Sequence, residues 1–516
     1  VVEKDVSTRP DHLRWDVLTI AAIVGVIGVA LMLHVLWFAP NYDVDWLLIA
    51  ARRMLAGGSY LSDFDEVTPP LILVLMAPAA ALANVTGFDP YTVFLTSVCV
   101  LILVSLLLCA PIVDWCLPGN PAGRRLALIA IALVLALEPG FRFGQREHLV
   151  VIMLLPGLLW YGARESGRPS PLDPAAWLCL ALAATSLLIK PYFLVIGAAL
   201  SLVRLVRTRD WRAVLFDAPV GVLAAVLALF ALMVAFLFPE YLAEVRLGNQ
   251  TYGAFANGWL LVVEHYRDAI AACCVMALLA ELVPVPAVSR TVLRCLWLAS
   301  ACALGVAILQ KRGWAYQMLP AVEIAAAGFA IAAAAMVPRL RLPAERLRAA
   351  MMISAIGVFG MALALRPVDE ALADTKANFA SQPLIRTLHE FAAGRKVMLL
   401  TSGLQQGFPS LAGVQLAARH PGQPMLPGTV KLEAGNERDR VRASALRQVL
   451  IGLVLQDMRH YKPEIVAVDR NVDKQALPID FDILAWFLAD PTFRKTWGDY
   501  RLVTQAPGWD FYERKG

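Results

Sequence analysis

Charge is scarce in this chain. Of its 516 residues, 17% are Asp, Glu, Lys or Arg and 59% are hydrophobic, against about 25% and roughly 45–50% in soluble domains. That deficit excludes a disordered chain and a soluble enzyme. Cysteine is sparse as well. The eight cysteines (Cys99, Cys109, Cys116, Cys179, Cys273, Cys274, Cys295 and Cys302) lie in or beside apolar runs, where the residue behaves as a small buried hydrophobe. No CxxC pair or zinc-type Cys/His spacing occurs, which excludes a secreted disulfide scaffold. The net charge of +5 is small for the length, and the cations gather at the edges of apolar runs, so no nucleic-acid partner is expected. The first apolar run is full length and lacks a small-residue cleavage motif, unlike a cleavable signal.

What fills the chain is a series of apolar runs near the ~20 residues that a bilayer requires. They predict a polytopic α-helical membrane protein with about 11 transmembrane helices, embedded in the lipid bilayer. The expected spans are 17–39, 92–116, 126–142, 149–163, 175–189, 192–206, 214–238, 269–286, 294–309, 318–337 and 349–366. Cationic flanks favour the cytoplasm. Lys4, Arg9 and Arg14 therefore place the N-terminus inside, and the basic turns at Arg124-Arg125, Arg164–Arg168, Arg204–Arg212, Arg290–Arg294 and Arg339–Arg348 follow it. Parity then makes 69–87 an interfacial helix within a first outer loop, 40–91.

This topology gathers polar residues on the outer face: Asp43, Asp45, Arg52, Arg53, Asp63, Asp65, Glu66, Arg146-Glu147-His148, Lys190, Lys311-Arg312 and Tyr316-Gln317. Asp217, Glu281 and Glu323 fall near span ends, so the membrane centre lacks the ionisable residues of ion-coupled transporters. Cations at an interface suit a lipid-linked phosphate. A carboxylate suits removal of a proton from an attacking hydroxyl. From about 380 the composition turns soluble. A helix at 382–393, strands at 397–400 and 465–468, and a helix near 441–458 predict a small α/β domain. The expected division is 1–366 and 367–516. Its Thr401–Gly407 segment is too loose for a nucleotide-binding glycine loop.

Tyr42-Asp43-Val44-Asp45-Trp46, followed by Ala51-Arg52-Arg53-Met54-Leu55-Ala56-Gly57-Gly58, resembles the first outer loop of GT-C-fold glycosyltransferases. These include aminoarabinose transferases, protein O-mannosyltransferases and arabinofuranosyltransferases. Gly58–Glu66 running into Pro69-Pro70-Leu71 is similar to the next element of that loop. Lys190-Pro191-Tyr192, Lys311–Pro320 and the closing pair Tyr500–Thr504 and Trp509–Arg514 resemble later elements in the same order. Aminoarabinose transferases carry Lys-Pro where this chain has Thr68-Pro69.

The resemblance implies transfer, with inversion, of a sugar from a polyprenyl-phosphate donor to a glycan, lipid or protein acceptor outside the cytoplasm of a bacterial inner membrane. Asp43 is the implied base, with Asp45 and Glu147 as further catalytic carboxylates. Arg146, Lys190, Lys311 and Arg312 are the implied phosphate-binding cations, and Arg52, Tyr60, Tyr316 and Gln317 the substrate contacts. A divalent cation (Mg or Mn) on Asp43, Glu147 and His148 is a further expectation. Each residue has a plainer reading. Asp43 and Asp45 are favoured helix N-caps, Glu147 suits an ion pair with Arg146, Lys190 suits snorkelling, and Lys311, Arg312, Trp314 and Tyr316 suit an interfacial belt. A flippase of lipid-linked glycans and a non-catalytic part of an envelope-polysaccharide complex are the alternative functions.

Overall fold

The computed structural model describes residues 17–167, 172–338 and 373–515. The helices run α1 (Val17–Leu36), α2 (Tyr42–Leu55), α3 (Leu71–Thr86), α4 (Pro90–Cys116), α5 (Pro121–Leu137), α6 (Arg146–Glu165), α7 (Pro174–Ile189) and α8 (Leu194–Thr208). They continue as α9 (Trp211–Leu215), α10 (Ala218–Leu237), α11 (Tyr241–Thr251), α12 (Trp259–His265), α13 (Arg267–Leu282), α14 (Ala287–Gln310) and α15 (Leu319–Met336). Each expected span between 17 and 337 coincides with one of these helices. The eleventh, 349–366, and the expected domain boundary near 367 lie outside the described residues. Among the described residues, six segments are long and apolar enough to cross a bilayer: α1, α4, Pro191–Thr208, α10, α14 and Ala315–Met336. This is a membrane protein.

Local chemistry sets the helix ends. α4, α5 and α7 each begin with proline at the first turn and are capped by Asp89, Asn120 and Asp173, whose side chains accept from backbone N–H groups. The Lys190-Pro191 break is a 3-10 turn, Pro191–Phe193, between α7 and α8. The run expected at 126–142 stops earlier, at Leu137, and Gly140–Arg142 forms a separate turn.

The pivot of the bundle is α6, buried along every residue from Arg146 to Ala163. Two glycines permit this. A Cβ on Gly157 would meet the Ala183 Cβ at 2.6 Å, and one on Gly162 would meet the Val292 Cα at 2.8 Å. Close approach to α7 and α14 therefore requires glycine. A helix packed on all sides puts its first turn, Arg146-Glu147, at the centre of one end of the bundle.

The residues from Lys376 onward fold around a five-stranded sheet of order β2-β1-β3-β5-β4. β1 (Lys396–Leu400), β2 (Gln415–Leu416) and β3 (Ile465–Asp469) are parallel, while β4 (Tyr500–Ala506) and β5 (Trp509–Arg514) are antiparallel. The expected elements at 382–393 and 441–458 are the helices Pro383–Ala392 and Glu437–His460. They cover opposite faces, so β3 is buried on both and reads as a continuous apolar run. β2 and the helix Leu426–Glu433 carry no period strong enough to have been expected.

The sheet unit sits on the loop before α3. Arg53 donates to the carbonyls of Ala418 at 2.7 Å and Leu416 at 3.0 Å, and its guanidinium lies 4.9 Å from the Tyr461 ring centroid. Tyr461 in turn donates to the Asp63 carbonyl at 3.0 Å.

Candidate active site

α2 begins at Tyr42, and its N-cap is Asn41. The Asn41 side chain accepts from the backbone N–H of Asp43 at 3.1 Å and of Val44 at 3.3 Å. Capping is thus not the work of Asp43 or Asp45. The Asp43 carboxylate instead accepts from Arg146 Nη2 at 3.0 Å, and Gln145 Nε2 sits 3.4 Å from the same oxygen. Arg146 also donates to the Thr68 hydroxyl and stands 3.6 Å from Glu66. Glu66 is held by the Trp46 indole N–H at 3.0 Å and the Thr68 backbone N–H at 2.7 Å.

Beside this group Lys190 donates to Glu147, and its ammonium lies 5.0 Å from the Tyr316 ring and 5.9 Å from the Tyr192 ring. Asp43, Arg146 and Lys190 are each 8% exposed and Glu147 is 1% exposed. Three carboxylates and two cations share this enclosed space, with Tyr252 and Tyr316 at its edge. The Nε of Arg146 and one oxygen of Glu147 have no hydrogen-bond partner among the described residues. Burial pushes the Asp43 carboxyl above the usual carboxylate range, with Arg146 and Lys190 pulling it back.

The other expected residues are placed as follows. Asp45, two positions on, faces away from Asp43 and accepts from the Ser410 hydroxyl at 2.5 Å. It therefore ties α2 to the sheet unit. Burial raises its carboxyl to about 6. Because this folded-state value lies above the unfolded one, Asp45 favours folding at low pH and loses that contribution between about pH 4 and 6. Asp45→Asn is expected to raise thermal stability above pH 6, by about 3 kcal/mol, and to converge on the wild type near pH 4. Scanning fluorimetry at both pH values checks this.

Arg52 is outside the cluster and donates to Asn84 at 3.1 Å. Tyr60 is 1% exposed and packs edge-on against Phe64, Phe238 and Tyr241. Gln317 bridges the Tyr266 hydroxyl and Gln310. Lys311 lies over the Trp259 ring at 3.9 Å, and Arg312 donates to the Tyr252 carbonyl. Tyr316 alone of this late group touches the inner cations.

The expected metal set is not assembled. His148 is fully buried, accepts from the Gly144 N–H at 3.0 Å, and has its other nitrogen 2.7 Å from the Leu135 carbonyl. Asp43 and Glu147 are each engaged by a cation. Among the described residues no three of His, Cys, Asp and Glu converge as metal ligands. Asp43, Glu147 and His148 are thus not brought together as a ligand set.

Glu66, Gln145, Asn41 and Thr68 are members that sequence patterning did not single out. Glu66 carried a signal only as one charge among several in the loop, and Thr68 only as the position where the resembling transferases have a lysine.

The apolar helical bundle with a terminal α/β unit has the GT-C fold, shown by its likeness to a solved structure. No family model matches the chain and no curated protein matches it in sequence. Among solved structures, ArnT from Cupriavidus metallidurans in the apo state aligns over 96% of this chain and 97% of its own, with TM-score 0.52 and 12% identity. Archaeal oligosaccharyltransferase AglB from Archaeoglobus fulgidus, in complex with an inhibitory peptide and a dolichol-phosphate, aligns over 97% and 74% (TM-score 0.45, 11% identity). An Archaeoglobus fulgidus oligosaccharyltransferase in complex with Zn and sulfate aligns over 96% and 73% (TM-score 0.43, 12% identity).

Proposed function

We propose that this protein is a membrane glycosyltransferase that moves a sugar from a polyprenyl-phosphate donor to an acceptor hydroxyl outside the cytoplasm of a bacterial inner membrane. The observation that carries the reading is the buried Asp43–Arg146 pair next to the Glu147–Lys190 pair, at the mouth of the bundle. A carboxylate relieved of capping and lifted by burial is suited to accept a proton near neutral pH. Two adjacent cations are suited to the negative charge that grows on a departing phosphate.

In the reaction Asp43 takes the acceptor's hydroxyl proton as that oxygen attacks the anomeric carbon. The bond from that carbon to the phosphate oxygen breaks with its electron pair, and the lipid phosphate leaves against Arg146 and Lys190. A single in-line displacement inverts the anomeric centre. Arg146 reaches Thr68, the position where the resembling transferases place a lysine, so its guanidinium supplies a cation there. A guanidinium also binds phosphate bidentately, which an ammonium cannot. Lys311 and Arg312, engaged with Trp259 and Tyr252, belong to an outer rim that greets the donor headgroup. The sheet unit, seated over the loop, serves acceptor recognition.

The test is release of free polyprenyl phosphate by the purified full chain from a panel of polyprenyl-phosphate-linked sugars (aminoarabinose, mannose and arabinofuranose), read by mass spectrometry. Turnover of one donor is the expected result. A flippase needs no base and predicts movement of labelled donor across proteoliposomes with no release, which would overturn the proposal. Since Asp43 acts unprotonated, turnover is expected to rise with pH through the elevated titration of its carboxyl and then level off.

A further inference from the structure

The helices that bring Arg146 and Lys190 together at one end enclose a separate cavity at the other. α6 runs 20 residues from Arg146 to Glu165, about 30 Å at 1.5 Å per residue. Its two ends thus lie at opposite edges of the membrane layer. Between α6, α8, α13 and α14 is a cavity of about 470 Å³, walled by Tyr161, Leu200, Val203 and Trp297, with Arg207 and Arg294 among its lining residues. The two arginine side chains are 57% and 54% exposed, which puts them at the mouth. The size is that of a small-molecule site.

Two observations point to the occupant. First, α8 buries only Ile196 against the rest of the protein, so most of its apolar surface is open to lipid. A second apolar cavity flanks it on α7 and α10, and Tyr161 lines both cavities while donating to the Leu200 carbonyl at 3.2 Å. An apolar slot of this kind stays dry, and within a membrane the abundant apolar filler is an acyl chain. Second, a network of charge with a cation to spare runs along the mouth. Arg207 and Arg294 line the cavity beside Glu165 and Glu281, with Arg294 paired bidentately to Glu281 at 2.7 Å, and next to the lining Arg164 and Arg204 share Asp217, four cations to three carboxylates in all. Arg207 makes one contact, at 3.3 Å, and keeps its remaining donors toward solvent.

We propose that this cavity binds an anionic glycerophospholipid, its phosphate held by Arg207 and Arg294 and one acyl chain lying along Leu200, Val203 and Trp297. Basic pockets between membrane helices select lipid headgroups in this way. The proposal depends on the protein lying in a membrane and not on the transfer reaction at the far end.

The experiment is native mass spectrometry of the full chain in detergent with phosphatidylglycerol, phosphatidylcholine or inorganic phosphate. Phosphatidylglycerol is expected to be retained roughly 10- to 30-fold more strongly than phosphatidylcholine. Arg207→Gln combined with Arg294→Gln is expected to abolish that preference. Glu165 keeps Arg204 in this variant, and Glu281 is exposed, so neither is left buried and unpaired. Ala277→Phe, which fills the cavity and leaves every charge in place, is expected to reduce retention of phosphatidylglycerol as well. Equal retention of the two lipids by the wild type overturns the proposal without reference to any variant. So does undiminished retention by the double variant, or binding of inorganic phosphate as tight as that of the lipid.

Discussion

Asp43→Asn is expected to lower sugar transfer by at least about 10³-fold, within the range for losing a positioned general base. The substitution keeps the size of the side chain and one carbonyl oxygen for Arg146, so α2, capped by Asn41, stays where it is. What is lost is the ability to take a proton. Donor binding is therefore expected to persist while turnover falls, a split between KM and kcat that a folding defect cannot imitate. The measurement is release of polyprenyl phosphate by both proteins from the donor that the wild type uses. Equal turnover would remove Asp43 from the chemistry and leave Glu147 and Glu66 as the remaining buried carboxylates of the cluster.

Arg419→Ala is the change expected to cost most stability. Arg419 donates from Nε to Asp457 at 2.9 Å and to the Leu61 carbonyl, while its own carbonyl accepts from the Asp65 N–H at 3.1 Å. Both partners of the ion pair are 4% exposed. The residue therefore fastens the sheet unit to the loop between α2 and α3. Truncation strands the buried Asp457 carboxylate, a loss of about 3–5 kcal/mol. Asp457 already titrates at about 6, raised by burial and restrained by Arg419. Without the guanidinium it rises further. A carboxyl with a raised folded-state value loses stability as pH increases, so the deficit is expected to be larger at pH 8 than at pH 5. Chemical denaturation at both pH values, with proteolysis of the 56–70 loop as a second readout, checks this. A deficit independent of pH would mean that packing, not charge, is what Arg419 supplies.

The sequence by itself determined the membrane bundle and the central elements of the tail, though not β2 or the helix Leu426–Glu433. Apolar runs of bilayer length and positive flanks are local signals, and so is the buried run Ile465–Val468. Proline at the start of α4, α5 and α7 and the Lys190-Pro191 break also act within one turn of chain. For these reasons the helices fall where the runs are. The pairing of Asp43 with Arg146, and of Glu147 with Lys190, was decided only by the tertiary structure. These partners are 103 and 43 residues apart, and no periodicity spans such distances.

Tertiary structure also separated neighbours that look equivalent in sequence. Asp43 and Asp45 are both acids in the first turn of one helix, yet the helical twist sends one toward Arg146 and the other toward Ser410. Arg146, Glu147 and His148 are consecutive, yet the first two meet opposite charges while the imidazole turns back to the carbonyl of Leu135. In each case the residue type stated what the side chain can do, and the packing around α6 decided what it meets.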